Sequence, residues 1–401
     1  MEAINRILVV AMSDSIHTAR WINQIAGQGW DIQLFPVYAA TPSSELRNVS
    51  VYGLALFRPL NLHASVRYIG LLPIGRSGDI LERLVFRLFP HLWEYALGML
   101  IKITAPDIVH SLEFQHSAYL TLPVMQKERK RRKKTPKWIV TNWGSDVYLF
   151  GRLAEHRERV RQVLEQCDFY SCECERDVIL AQELGLRGQV LPVFPNTGGF
   201  DLQHTETLRQ PGPTSRRRTI LLKGYQGWAG RALVGLRALA RCADLLKSGE
   251  YQVAIYSASP EVKIAAELFE QETGIITELI SKTTHDEMLR WYGRARLYIG
   301  LSISDAISTS LLEAMVMGTF PIQSCTACAD EWIVDGKSGF IVLPEDPDVI
   351  AEAIRKALVD DNLVNRAAEL NMQTARERLD YSVIKPKVIK MYRDIYDSRK
   401  E

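Results

Sequence analysis

Short, predominantly apolar runs, each followed by an amphipathic stretch, recur along this chain, and no other feature constrains its fold so strongly. In the first half the runs are Ile7–Ala11, Ile32–Val37, Ile108–Leu112, Trp138–Thr141, Phe169–Cys172 and Val190–Val193. A strand that is apolar at every position, rather than at every second one, is buried on both faces, which points to a parallel sheet covered by helices. Amphipathic stretches such as 15–27 and 154–166 supply those helices. Near Pro195 the rhythm breaks into Pro-Asn-Thr-Gly-Gly-Phe and then polar sequence through Arg218, as expected of a linker. A second series follows, with strands expected at Thr219–Lys223, Gln252–Ser257, Ile275–Ile280, Leu297–Leu301, Thr319–Gln323 and Gly339–Leu343. The pattern predicts an α/β chain of two Rossmann-like domains facing an interdomain cleft, with ligands at the carboxyl ends of the strands. The expected divisions are 1–195, a linker at 196–217, 218–380, and a C-terminal helix at 381–401 that has no strand of its own to cover and crosses back to the first domain.

Composition removes several classes. Hydrophobic content of 47% and charged content of 24% over 401 residues match a folded globular chain and exclude disorder or a disulfide framework. The longest apolar candidate, Leu84–Ile103, is interrupted by Arg87, His91, Glu94 and Lys102, so no bilayer span is expected. Met1 leads almost directly into a strand-like run, which predicts no secretory signal and a cytoplasmic location. Six cysteines then read as reduced thiols. The Cys172/Cys174 and Cys325/Cys328 spacings resemble neither a zinc ribbon nor a finger, so no metal is expected.

Charge is unevenly placed. The totals of 49 basic and 47 acidic residues nearly cancel, yet residues 127–137 hold eight bases and one acid. This segment reads as a solvated loop, or as a patch for an anionic membrane acting with the amphipathic region 80–103. No nucleic-acid module accompanies it, and the rest of the chain is acidic, so nucleic acid is not expected as a partner.

The most informative segment is Ser304-Asp-Ala-Ile-Ser-Thr-Ser-Leu-Leu-Glu-Ala-Met-Val-Met-Gly-Thr-Phe-Pro321. A strand leads through a loop to a helix starting near Ser308, where the hydroxyls of Ser308, Thr309 and Ser310 lie beside unpaired backbone N–H groups, an arrangement suited to a phosphate. Asp305 precedes the helix. Glu313 lies within it, an acid among apolar neighbours where a core residue would be ordinary.

These residues resemble the signature of the family 4 retaining glycosyltransferases of the GT-B fold: an acid, seven residues, then Glu-Ala-Met leading to Gly and Pro, here Asp305, Glu313-Ala314-Met315, Gly318 and Pro321. The resemblance extends to Asp335-Gly-Lys-Ser-Gly, to Gly144-Ser145-Asp146 and to the Pro195–Asp201 hinge. It implies that Glu313 binds the donor ribose, that the amides around Ser308–Ser310 hold the diphosphate, and that Asp305 sits by the transferred sugar. It also implies a metal-independent hexosyl transfer from a nucleoside diphosphate sugar, with retention, to a glycan or lipid-linked acceptor, as in polysaccharide biosynthesis, at the inner face of a membrane. No cofactor is implied.

Two departures stand out. Aspartate replaces the usual glutamate at 305. The family places Arg directly after a glycine and Lys five residues later, but after Gly224 those positions hold Tyr225 and Gly230, with Lys223 and Arg231 each displaced by one. Both bases suit a diphosphate leaving group, and Arg231 is favoured because Lys223 ends a strand. In the first domain, Ser15 and His17 follow the first strand and read as acceptor contacts, or Ser15 as a simple N-cap. His116 reads as a cleft-facing residue, which the resemblance implies is catalytic and near the reacting sugar, and His110 as a structural one. Asp146 reads as an acceptor ligand or a loop cap. A sugar-nucleotide epimerase and a non-catalytic nucleotide-binding scaffold share the twin-domain pattern and stay open.

Overall fold

The computed structural model describes residues 5–55, 58–72, 91–131 and 135–399. Residues 80–90 of the amphipathic region and 132–134 of the basic segment therefore lie outside the described residues. The chain divides into two compact units, 1–198 with 384–401, and 199–383.

The first unit is built on an eight-stranded sheet: β1 (Arg6–Ala11), β2 (Asp31–Pro36), β3 (Ser50–Ala55), β4 (Arg67–Leu72), β5 (Ile108–Leu112), β6 (Lys137–Thr141), β7 (Phe169–Ser171) and β8 (Gln189–Val190). Its order is β4-β3-β2-β1-β5-β6-β7-β8, and every pairing is parallel. The central strands are the continuous apolar runs of the sequence. Strands β3 and β4 were not foreseen, because each carries a glycine and neither is uniformly apolar. At Gly53 a Cβ would come within 1.9 Å of the Tyr68 hydroxyl, so the missing side chain on β3 makes room for the tyrosine on β4.

The C-terminal helix Tyr381–Asp397 joins this unit from Ile384 onward, and its apolar stripe of Ile384, Val388, Met391, Tyr392 and Ile395 packs with Ile7, Val9 and Ile22. A buried polar chain fixes it there. The Tyr392 hydroxyl accepts a hydrogen bond from Trp21 Nε1 (2.8 Å) and lies 2.6 Å from His110 Nδ1, while His110 Nε2 lies 2.6 Å from Thr141 Oγ1. All three contacts are satisfied when the tyrosine donates to Nδ1 and His110 carries its proton on Nε2. Complete burial pushes the His110 pKa down to about 3, so the ring is neutral.

The second unit has a six-stranded parallel sheet of β9 (Thr219–Lys223), β10 (Gln252–Tyr256), β11 (Thr277–Ile280), β12 (Ala295–Gly300), β13 (Phe320–Ser324) and β14 (Phe340–Val342), in the order β11-β10-β9-β12-β13-β14. The order reverses between β9 and β12, the place where such sheets bind ligands. Residues 199–217, expected as a linker, belong to this unit and contain the helix Leu202–Thr207. Arginines hold the segment in place. Arg217 is 4% exposed and donates from Nη1 to the carbonyls of Ala295, Met317 and Gly318. Arg296, equally buried, donates to the Ser215 carbonyl and to those of Ala357 and Leu358, which end the helix Pro347–Val359. Carbonyls at a helix end lack intrahelical partners, and a guanidinium fork supplies them.

Candidate active site

In the second unit two loops at the carboxyl ends of β9 and β12 are strapped together by main-chain hydrogen bonds. Arg231 N donates to Leu301 O (3.1 Å), Ile303 N donates to Ala229 O (2.9 Å), and Gly230 bridges Ser302. A Cβ at Gly230 would fall 2.1 Å from the Tyr225 carbonyl oxygen, so this crossing admits only glycine. Gly224, expected at the donor phosphates, is also sterically fixed. Its Cβ would meet Ala258 Cα at 2.7 Å, and its N–H donates to Tyr256 O at 2.8 Å.

Strand alternation sends Leu221 and Lys223 to the face covered by the helix Thr309–Val316. Lys223 Nζ lies 4.8 Å from the centre of the Tyr225 ring. Burial alone would lower the pKa of this ammonium group, but the fields of Tyr298, Asp305, Tyr225 and Glu313 outweigh burial and raise it. The fields of Asp305 and Glu313, both singled out in the sequence, thus favour the charged form of Lys223. Arg231 is placed differently: its Nε donates to Glu345 Oε1 (2.9 Å), and its Nη1 donates to the carbonyls of Gly227 and Gly230. Arg231 is thus engaged by one carboxylate and two carbonyls, whereas Lys223 lies on the sheet face covered by the helix Thr309–Val316.

Glu313 is almost fully buried, and its Oε1 lies 2.9 Å from Nε2 of His285, the first residue of the helix His285–Arg294. Sequence reasoning missed His285, which is 28 residues from Glu313 on another helix. One Asp305 carboxylate oxygen accepts from the amide of Ala306 (3.0 Å). The helix Thr309–Val316 starts at Ser308 without a side-chain cap, and its N-terminus carries the partial positive charge of a helix dipole. Ser308 and Ser310 are buried, and Thr309 is partly exposed. The Ser310 hydroxyl accepts from Tyr256 (2.8 Å), whose oxygen accepts from Tyr292 (2.9 Å). Ser310 therefore anchors the helix to the sheet with its side chain. Burial raises the pKa of Tyr256 and of Tyr292 and keeps both phenols neutral.

In the first unit a second cluster gathers at the carboxyl ends of β1, β2, β5 and β6. Ser15 caps the helix Ile16–Ile25, its Oγ accepting from His17 N (3.2 Å). The His17 ring stands edge-on to Trp143, with centroids 5.8 Å apart. The Tyr38 hydroxyl donates to Asp14 (3.0 Å) and its ring meets that of His116. Burial and the Asp14 bond push the Tyr38 pKa up to about 12.

Glu113 was not singled out from sequence, although an acid directly after an apolar strand was a usable signal. It sits at φ +74°, where a side-chain-bearing residue is rare. That turn aims its carboxylate at the next amides, and Oε1 accepts from His116 N (2.6 Å) and Ser117 N (2.7 Å). Its Oε2 lies 3.3 Å from His116 Nδ1, a bond that raises the pKa of the exposed imidazole against the opposing effect of burial. Asp146 is buried, with Oδ2 accepting from Trp143 N (2.8 Å) and Phe114 N (3.0 Å). That oxygen caps the loop rather than facing solvent. Burial and the neighbouring Glu113 carboxylate raise the Asp146 pKa well above the usual carboxylate range.

Comparison with known proteins bears on both units. Residues 256–373 match the family model "Glycosyl transferases group 1". A D-inositol 3-phosphate glycosyltransferase from Nocardioides sp. is 26% identical over 104 residues, which cover 26% of this chain and 23% of the relative's length. Sucrose-phosphate synthase from Thermosynechococcus elongatus superposes with a TM-score of 0.70 at 15% identity, over 98% of this chain and 100% of that one. Anabaena HepE in complex with UDP-glucose gives 0.67 at 11% identity, over 98% and 99%. A trehalose 6-phosphate synthase from Burkholderia multivorans gives 0.66 at 12%, over 99% and 100%. The two parallel-sheet Rossmann-like domains thus match the GT-B glycosyltransferase fold.

Proposed function

We propose that the protein transfers a hexosyl group from a nucleoside diphosphate donor to an acceptor hydroxyl with retention of configuration, as a family 4 enzyme, without a metal. The observation that carries this reading is Lys223, whose charged form the fields of Asp305 and Glu313 favour, on the sheet face covered by the helix Thr309–Val316, which starts without a side-chain cap. The complex of HepE with UDP-glucose supports the donor class. In the reaction the bond from the anomeric carbon to the diphosphate oxygen breaks and a bond to the acceptor oxygen forms on the same face. The acceptor proton passes to the departing phosphate. Negative charge grows on that phosphate, and Lys223 with the helix N-terminus stabilises it. Arg231, held by Glu345 over the same loop, adds positive potential. Glu313, oriented by His285, binds the ribose, the amides at Ser308–Ser310 line the phosphates, Gly224, without a side chain, lets the loop backbone approach them, and Asp305 faces the sugar. In the first unit His116, His17 and Ser15 contact the acceptor, while Asp146 shapes their loop.

The acceptor is a glycan or lipid-linked sugar in polysaccharide biosynthesis, reached at the cytoplasmic face of a membrane. Tyr95, Met99 and Ile103 form an exposed apolar stripe on the helix Leu92–Thr104, which packs on the helix Tyr119–Arg131 that carries exposed Lys127, Lys130 and Arg131. Arg129 is engaged by Asp168 at 2.8 Å and takes no part. Among the described residues no helix is long and apolar enough to cross a membrane. A thermal-shift screen of nucleotide sugars, followed by donor-consumption assays with and without acceptor, tests the function. Acceptor-dependent consumption supports transfer, and epimerisation of the donor alone overturns it. Flotation with anionic liposomes tests the membrane reading, which fails if binding is independent of lipid charge.

A further inference from the structure

At the other edge of the second sheet, where its strands begin, a pocket of about 360 Å³ opens beside residues that the transfer reaction does not use. Arg217 precedes β9, and Gly318 lies just ahead of β13. Three arginines line the pocket, Arg209, Arg217 and Arg376, and Glu369 is the one carboxylate among the lining residues. Arg217 is 4% exposed and commits only Nη1 to carbonyls, while its Nε is buried without a hydrogen-bond partner. Arg209 repeats the pattern. Its Nη2 donates to Val316 O and to Met372 Sδ (3.5 Å), and its Nε is also buried without an acceptor. Arg376 is exposed at the rim and forms no ion pair among the described residues.

Unpaired buried donors on charged groups are rare, because each forfeits hydration without replacement. Two such guanidinium groups lining one pocket, with a third at its rim, form a half-completed anion site. Burial and the nearby Arg209 charge push the Arg217 pKa down to about 10, which reflects the same uncompensated field.

We infer that this pocket binds a phosphate monoester, carried either by a soluble metabolite or by a lipid headgroup, at a site separate from the donor phosphates. A phosphate presents several acceptor oxygens to guanidinium forks, a geometry that lysine cannot match. The volume exceeds that of phosphate alone and falls within the range of small-molecule sites, so an attached organic group fits.

Calorimetric titration of the full chain with inorganic phosphate and with glucose 6-phosphate, against chloride at equal ionic strength, tests the inference. One saturable site per chain is expected. Arg376→Gln, at an exposed position that leaves the fold intact, should weaken it about ten-fold. Ala368→Phe, which fills the pocket, should abolish it, and Lys223→Met should change it less than two-fold. Flotation with phosphatidylcholine vesicles containing phosphatidic acid identifies the source: recruitment lost in Ala368→Phe indicates a headgroup, and soluble binding without recruitment indicates a metabolite. The inference is overturned if no saturable site exists, or if binding survives Ala368→Phe and Arg376→Gln. Loss with Lys223→Met alone would place the anion at the donor site and overturn it equally.

Discussion

Replacing Lys223 by methionine shortens the side chain by one heavy atom and removes its charge. In the wild type this base stands among Asp305, Glu313 and the phenols of Tyr225 and Tyr298. A diphosphate entering the variant would meet the field of these acids without the Lys223 charge to offset it. At an effective dielectric constant of about 20 and a separation of roughly 7 Å, one unit charge acts on another by about 2.4 kcal/mol. A lost charge-assisted hydrogen bond costs a similar ~1.5–3 kcal/mol. These are two descriptions of one contact, so they are not added, and kcat/KM should fall by roughly 10- to 150-fold. Steady-state donor consumption measures it. If Lys223 acts on the charge that develops as the sugar leaves, the fall appears mainly in kcat. The double variant Lys223→Met/Asp305→Asn separates two roles. Recovery of most of the loss would mean that Lys223 only balances the acids, and a persistent loss means that it touches the phosphate. A single variant within three-fold of wild type in kcat/KM would refute the reasoning.

Three further outcomes follow from the first unit. Tyr392→Phe leaves Trp21 Nε1 and His110 Nδ1 buried without partners, which should cost about 2–4 kcal/mol and lower the melting temperature of this unit by roughly 5–15 °C in calorimetry. An unchanged melting temperature would deny that this chain of bonds secures the C-terminal helix. His110, neutral with its pKa lowered from 6.5 to about 3, contributes stability that is present above pH 6.5 and lost as the pH falls toward 3. Urea melts across that window should show His110→Gln losing less stability than wild type. His116 titrates in the opposite sense. Its raised pKa favours the protonated form, so its contribution is full below 6.5 and disappears as the pH climbs through the folded value. An NMR titration should place its midpoint above 6.5 and show it falling in Glu113→Gln, and a midpoint indifferent to Glu113 would contradict the pairing.

The sheets were legible wherever burial is two-sided. Thr219–Lys223 and Ile108–Leu112 are apolar because helices cover both faces, and their bounds match the structure. Strands β3 and β4 were hidden because Gly53 and Gly70 interrupt them and their neighbours are only partly buried. The linker misled for a different reason. Arg217 and Arg296 look like surface residues in sequence, and only the carbonyls supplied by distant helix ends and turns make them buried. Asp305 and Glu313 could be found from their spacing on one loop and helix, whereas His285 depends on a contact between two helices that no local pattern encodes. The direction of Lys223 was not legible because side-chain direction at a strand end depends on register, and β9 puts Lys223 on the face covered by the helix that bears Glu313.

The central claim is that the second unit holds a nucleoside diphosphate sugar with Glu313 on its ribose. The most direct measurement is calorimetric titration of wild type and Glu313→Ala with the nucleotide sugar that most raises the melting temperature. One donor per wild-type chain is expected, with affinity weakened by about 10- to 100-fold in the variant, since the buried carboxyl group that would hold the ribose is lost. Equal affinity in the two proteins, with the fold of both intact, would contradict it.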